Sequence, residues 1–134
     1  MKKFIALFII VSLSGCTLLD AYLMTHFDPV EYKMITDIRY DAHTSIADCD
    51  DVAVSKANAN TLAYKVGVYH AYELDIPHNE DSIKASTTLD EMAQGLKTRY
   101  AGSEKISPIY CKLKFGGIES SATLIQHVQG KRPR

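Results

Sequence analysis

Two acceptor–proline pairs, Asp28-Pro29 and Ser107-Pro108, constrain this chain more than any other feature of its sequence. In each pair a side-chain oxygen stands where it can accept from the free N–H groups of a helix start. The proline then takes the first helical position, where its missing N–H costs nothing. A helix is expected to begin at each. After the first, Val30, Met34, Ile35, Ile38, Ala42 and Ile46 keep the three-and-four spacing of one helical face. Asp48-Cys49-Asp50-Asp51 breaks that spacing and offers Asp50 or Asp51 as the cap of a second helix, with acid at its positive end. The second helix is predicted over 52–74, with Ala59, Leu62, Ala63, Val66 and Tyr69 on one face and Lys56, Lys65 and Glu73 elsewhere. It stops near Ile76-Pro77, because the residue before a proline favours an extended backbone.

A third helix, capped by His78-Asn79, carries Ala85, Leu89, Met92, Leu96 and Tyr100 and ends at Ala101-Gly102. The fourth is predicted from Ser107-Pro108 to about Val128. Its expected buried stripe is Leu113, Gly117, Ser121, Leu124 and Val128, with Ile118, Ala122 and Ile125 beside it. Gly116-Gly117 weakens this helix by roughly 1 kcal/mol per glycine relative to alanine and marks a place to kink or to admit a neighbour. No alternating strand pattern of comparable length competes. The expected fold class is therefore all-α, a small antiparallel bundle of about four helices joined by short loops. In an up-and-down arrangement the end of the first helix and the start of the fourth share one end, which brings Cys49 and Cys111 together. The predicted disulfide closes a loop of roughly sixty residues, for which chain entropy gives about 4 kcal/mol.

Ahead of the helices, Met1-Lys2-Lys3 is a basic start and Phe4 to Leu13 an apolar run, the pattern of an export signal. The run falls short of the roughly 20 residues a helix needs to cross a bilayer. At its end, Leu13-Ser14-Gly15-Cys16 resembles the lipobox of bacterial lipoproteins. The resemblance implies peptidase recognition through Leu13, Ser14 and Gly15, cleavage before Cys16, and lipid on Cys16. Several acyl chains exceed the marginal membrane affinity of one. Thr17, where inner-membrane lipoproteins tend to carry Asp, implies the outer membrane, on its periplasmic face. The expected organisation is a signal peptide at 1–15, a lipidated anchor and tether at 16–27, a helical periplasmic domain at 28–129 and a basic tail at 130–134. With Cys16 committed to lipid, Cys49 and Cys111 are the even remainder that an oxidising compartment pairs.

Net charge of −1 leaves no global field to draw the chain to nucleic acid, so none is expected as a partner. The one local excess is Lys131, Arg132, Pro133 and Arg134, either a frayed, solvated end or a contact for anionic head groups or an acidic partner. The nearest metal-like grouping, His43 with Asp48, Asp50 and Asp51, straddles a helix end and reads as capping acid; no metal or cofactor is expected. Ser120-Ser121 lacks a nucleophile elbow and Gly116-Gly117 lacks a phosphate loop, so no enzyme is expected.

Eight tyrosines stand against no tryptophan, and Tyr64, Tyr69 and Tyr72 gather near His70 on the second helix. They either pack or bind, since tyrosine offers apolar area and a hydroxyl at interfaces. With Lys131, Arg132 and Arg134 they make the candidate partner surface. The expected function is a non-catalytic helical interaction module, anchored by lipid and turned toward an envelope protein. In layout the chain is also similar to small phage-encoded outer-membrane lipoproteins, which implies a spanin-like lysis subunit or a modifier of the host surface as an alternative. Four prolines at helix boundaries depart from the proline-rich extended stretches of spanins. A further alternative is a small apolar ligand or lipid held between helices by Met92, Tyr100 and the approach at Gly116-Gly117.

Overall fold

The computed structural model describes residues 25–134. The expected signal, the lipobox residues Leu13, Ser14, Gly15 and Cys16, and the tether up to residue 24 lie outside the described residues. Within them the elements begin where the capping oxygens stand. The Asp28 carboxylate accepts from the N–H groups of Val30 and Glu31 and opens α1, Pro29–Ser45. A 3-10 turn at Ala47–Asp50 redirects the chain, and Asp51 accepts from Ala53 and Val54 to open α2, Val52–Leu74. The chain then turns through His78, whose φ of 56° lies in the left-handed region, into α3, Glu80–Ala101. Ser107 accepts from the N–H of Tyr110 and opens α4, Pro108–Gln129. No strand occurs among the described residues.

The four helices form an antiparallel bundle in which α2 packs most closely on α3 and α1 most closely on α4. Small side chains permit the first approach: Ser55, Ala59 and Ala63 of α2 and Ser86 and Ala93 of α3 are all buried. Ile35, Ile38, Leu62, Val66, Leu89, Phe115 and Ile118 fill the centre, each stabilising the fold by roughly 1.5–3 kcal/mol through removal from water. At one end of the bundle the start of α1 meets the end of α4. At the other, Cys49 and Cys111 form the predicted disulfide, with Cα atoms 5.6 Å apart and 62 residues between them in sequence.

Two expectations for the helix faces are corrected. Val30 points outward and Glu31 takes the buried place next to it. On α4, Leu113, Leu124 and Val128 are exposed, and the buried stripe is Cys111, Phe115, Ile118, Ala122, Ile125 and Gln129. The helix carries two apolar stripes, and what fixes its rotation is not apolar. The disulfide at Cys111 holds one end, and the Gln129 amide, bonded to three buried side chains, holds the other. Gly117 is the point of close approach: a Cβ there would stand 3.3 Å from the Met92 methyl. Gly116 faces open space.

Candidate functional site

The residues expected to face a partner separate into three groups. Tyr64 is exposed and, with Met34, Ile38 and Val68, lines a shallow groove of about 210 Å³ between α1 and α2. Tyr69 is fully buried, so it presents no surface. Tyr72 donates its hydroxyl to Asp28 at 2.6 Å, which joins the end of α2 to the start of α1. That same hydrogen bond pushes the Tyr72 pKa up to about 12. Partial burial works against ionising Asp28, yet the bonds it accepts from Tyr72, Val30 and Glu31 win and hold its carboxyl below the usual value.

The reading of the basic tail as a frayed, solvated end is corrected as well. Lys131 and Arg134 are exposed, but Arg132 is buried and the segment is docked. The Phe27 N–H donates to the Pro133 carbonyl at 2.8 Å, and the Arg134 guanidinium lies 5.0 Å from the centre of the Phe27 ring. Arg132 donates to Glu31 at 2.5 Å, to Asn79 at 3.0 Å and to Ser82. Gln129 donates to Glu31, to the Tyr69 hydroxyl at 2.7 Å and to Glu73 at 3.1 Å. Asn79 donates to Glu73 rather than capping α3. Glu31, Glu73, Asn79, Gln129 and Arg132 are all buried, so two carboxyls lie away from water with one guanidinium, which bonds Glu31 directly.

One guanidinium offsets the charge of one carboxylate only, which disfavours the charged form of Glu31. Burial, followed by the hydrogen bond and charge of Glu73, accordingly pushes Glu31 up to about 8, against the pull of Arg132. Burial and the same Glu73 raise the Tyr69 pKa. This cluster is closed to substrates. What it does is hold the two ends of the described chain together.

The His43 grouping is likewise engaged elsewhere. His43 pairs with Glu119 at 3.0 Å, Asp48 accepts from Asn58 at 2.8 Å, Asp50 faces Lys112 at 3.5 Å, and Asp51 caps α2. Among the described residues no three His, Cys, Asp or Glu side chains converge in a metal-holding group. Of the residues expected to hold an apolar ligand, Met92 itself covers Gly117 with its methyl and accepts through its sulfur from Ser121 at 3.6 Å, while Gly116 faces open space.

The feature that sequence reasoning missed is the outer face of α4. Ile109, Leu113, Leu124 and Val128 are 81%, 71%, 69% and 60% exposed, and Gly116 and Ser120 lie between them along the same side. Scattered apolar residues at a surface are ordinary, whereas these four are aligned along one helix and form an apolar patch. The signal was present: α4 is apolar on two sides, and a helix at the edge of a four-helix bundle buries only one. Its rim is satisfied within the chain, Lys112 on Asp50 and Glu119 on His43. Compared with protein-family models, with curated proteins and with solved structures, the chain matches none.

Proposed function

We propose that this chain is a lipid-anchored, non-catalytic interaction module of the cell envelope, held through lipid on Cys16 at the periplasmic face of the outer membrane and contacting a protein partner through the outer face of α4. The single observation that carries the contact surface is the alignment of Ile109, Leu113, Leu124 and Val128, each more than half exposed, along one helix. The lipobox-like Leu13-Ser14-Gly15-Cys16 supports the anchor. No helix among the described residues is long and apolar enough to cross a membrane. The arrangement suits a contact surface, since a covalent link ties α4 at one end and buried hydrogen bonds tie it at the other. A binding face fixed at both ends loses little freedom on docking, which lowers the cost of association.

Fractionation of cells making the full chain tests the reading. The unaltered protein is expected to float with outer membranes, and Cys16→Ala to appear in the soluble fraction with its disulfide intact. A Cys16→Ala protein that still floats would remove the lipid anchor from the account.

A further inference from the structure

The occupant of the α4 face can be argued further from where the chain outside the described residues joins the bundle. We propose that the face is covered by a second copy of this chain, α4 against α4, with the two helices parallel. The proposal rests on the lipid-anchored reading above, because the anchor supplies the orientation. The eight residues 17–24 separate Cys16 from Thr25 and span at most about 28 Å when fully extended. The Thr25 end of the bundle is therefore the end that is tethered to the bilayer in every copy. α4 finishes at that end, where Phe27 bonds Pro133, so it runs in the same sense in each neighbour. Two copies related by a twofold axis along the membrane normal meet with identical residues opposite one another.

The face suits that register. Ile109, Leu113, Gly116 and Ser120 follow spacings of four, three and four, the pattern that lets two helices pack side by side along a seam. Gly116, with open space where a Cβ would stand, and Ser120, whose hydroxyl is turned back to the Gly116 carbonyl at 2.8 Å, leave the middle of the seam low. Backbones can approach there, while Ile109 and Leu113 on one side and Leu124 and Val128 on the other fill the widening gap.

Charge does not oppose it. The seam positions carry no Asp, Glu, Lys or Arg, and the neighbouring Lys112 and Glu119 are paired within their own chain. One helix face is well below the roughly 1,200–2,000 Å² that stable complexes bury. The contact is accordingly weak in free solution and depends on the raised local concentration that a shared membrane provides.

Disulfide trapping in vesicles of phosphatidylethanolamine and phosphatidylglycerol, loaded with the full-length lipidated protein, tests the proposal. Ser120→Cys is expected to give a reducible adduct of twice the chain mass on mild oxidation. The yield should be at least tenfold above that of Thr61→Cys, an exposed position on α2. Adding Leu113→Glu to the Ser120→Cys protein is expected to cut the yield about tenfold without loss of helix content. Flotation of the same samples separates the two readings. If the protein floats and Ser120→Cys traps no more than Thr61→Cys, the second copy is overturned and the anchor stands. If the protein does not float, the anchor falls and takes this proposal with it. Repeating the oxidation in native envelopes adds one outcome: a Ser120→Cys adduct of another mass in place of the doubled chain assigns the face to a different protein and overturns self-pairing.

Discussion

The two ends of the bundle hold the same pair of helices together by opposite means. At one end α1 and α4 are joined by a single covalent bond, Cys49–Cys111, flanked by exposed acids and lysines. At the other they are joined by Glu31, Gln129 and Arg132, buried groups that gain their value only from one another. The staple acts largely on the unfolded chain, by forbidding conformations the open chain would explore. The cluster acts on the folded state, where each polar group stays buried only because its partners are present. A bond of the first kind forgives its surroundings. A network of the second kind forgives nothing, and its charge has to balance.

The sharpest way to break that contrast is Arg132→Ala. It leaves two buried carboxyls without their guanidinium and is expected to cost about 3–5 kcal/mol in urea unfolding at pH 7. A cost below about 1 kcal/mol would mean that the cluster is solvated and the contrast false. Next in size is removal of the staple: Cys49→Ala with Cys111→Ala is expected to cost about 2–4 kcal/mol, with the helix content unchanged in the folded state.

The smallest effect at any one step is the pH dependence, which only the cluster end can produce. Glu31 has its folded pKa raised from 4.5 to about 8, so between those values the native state keeps a proton that the unfolded chain has lost. Its contribution to stability is full below 4.5, declines as pH rises to about 8 and is gone above, with a slope of at most about 1.4 kcal/mol per pH unit. Asp28 has the opposite sign: its pKa is lowered from 3.8, and its contribution disappears in acid. Unfolding of the disulfide-free protein is expected to show the same profile. Glu73→Gln, which removes the second carboxylate, is expected to flatten the decline above 4.5. An unchanged profile in Glu73→Gln would separate Glu31 from Glu73.

The difference between the ends also explains what was legible in the sequence. The staple end was readable because its logic is local: Asp51 and Ser107 cap the helices that follow them, and the topology then places Cys49 beside Cys111. Each helix start followed from a short side chain and its immediate neighbours. The cluster end was not readable, because its pairs join residues about a hundred positions apart, Arg132 with Glu31 and Gln129 with Glu31. Nothing near Arg132 distinguishes it from Lys131 or Arg134, which remain in water. The rotation of α4 was misread for the same reason. Phe115 with Ile118 and Leu113 with Leu124 make two stripes of equal apparent merit, and the choice between them is made by Cys111 and Gln129 through partners on other helices. Tyr69 was ambiguous until its hydroxyl found Gln129.

The position of the disulfide has a mechanical consequence. Tension applied at Thr25 and resisted along α4 pulls on α1 from its first turn, in shear against its antiparallel neighbour. α1 leads within a few residues to Cys49, which is bonded to Cys111 in α4 itself. The load thus passes from α1 to α4 through one covalent bond, and α2 and α3 hang in the closed loop off the line of force. A pull strong enough to peel α1 away would be arrested at Cys49, with the other three helices still tied to the surface that grips.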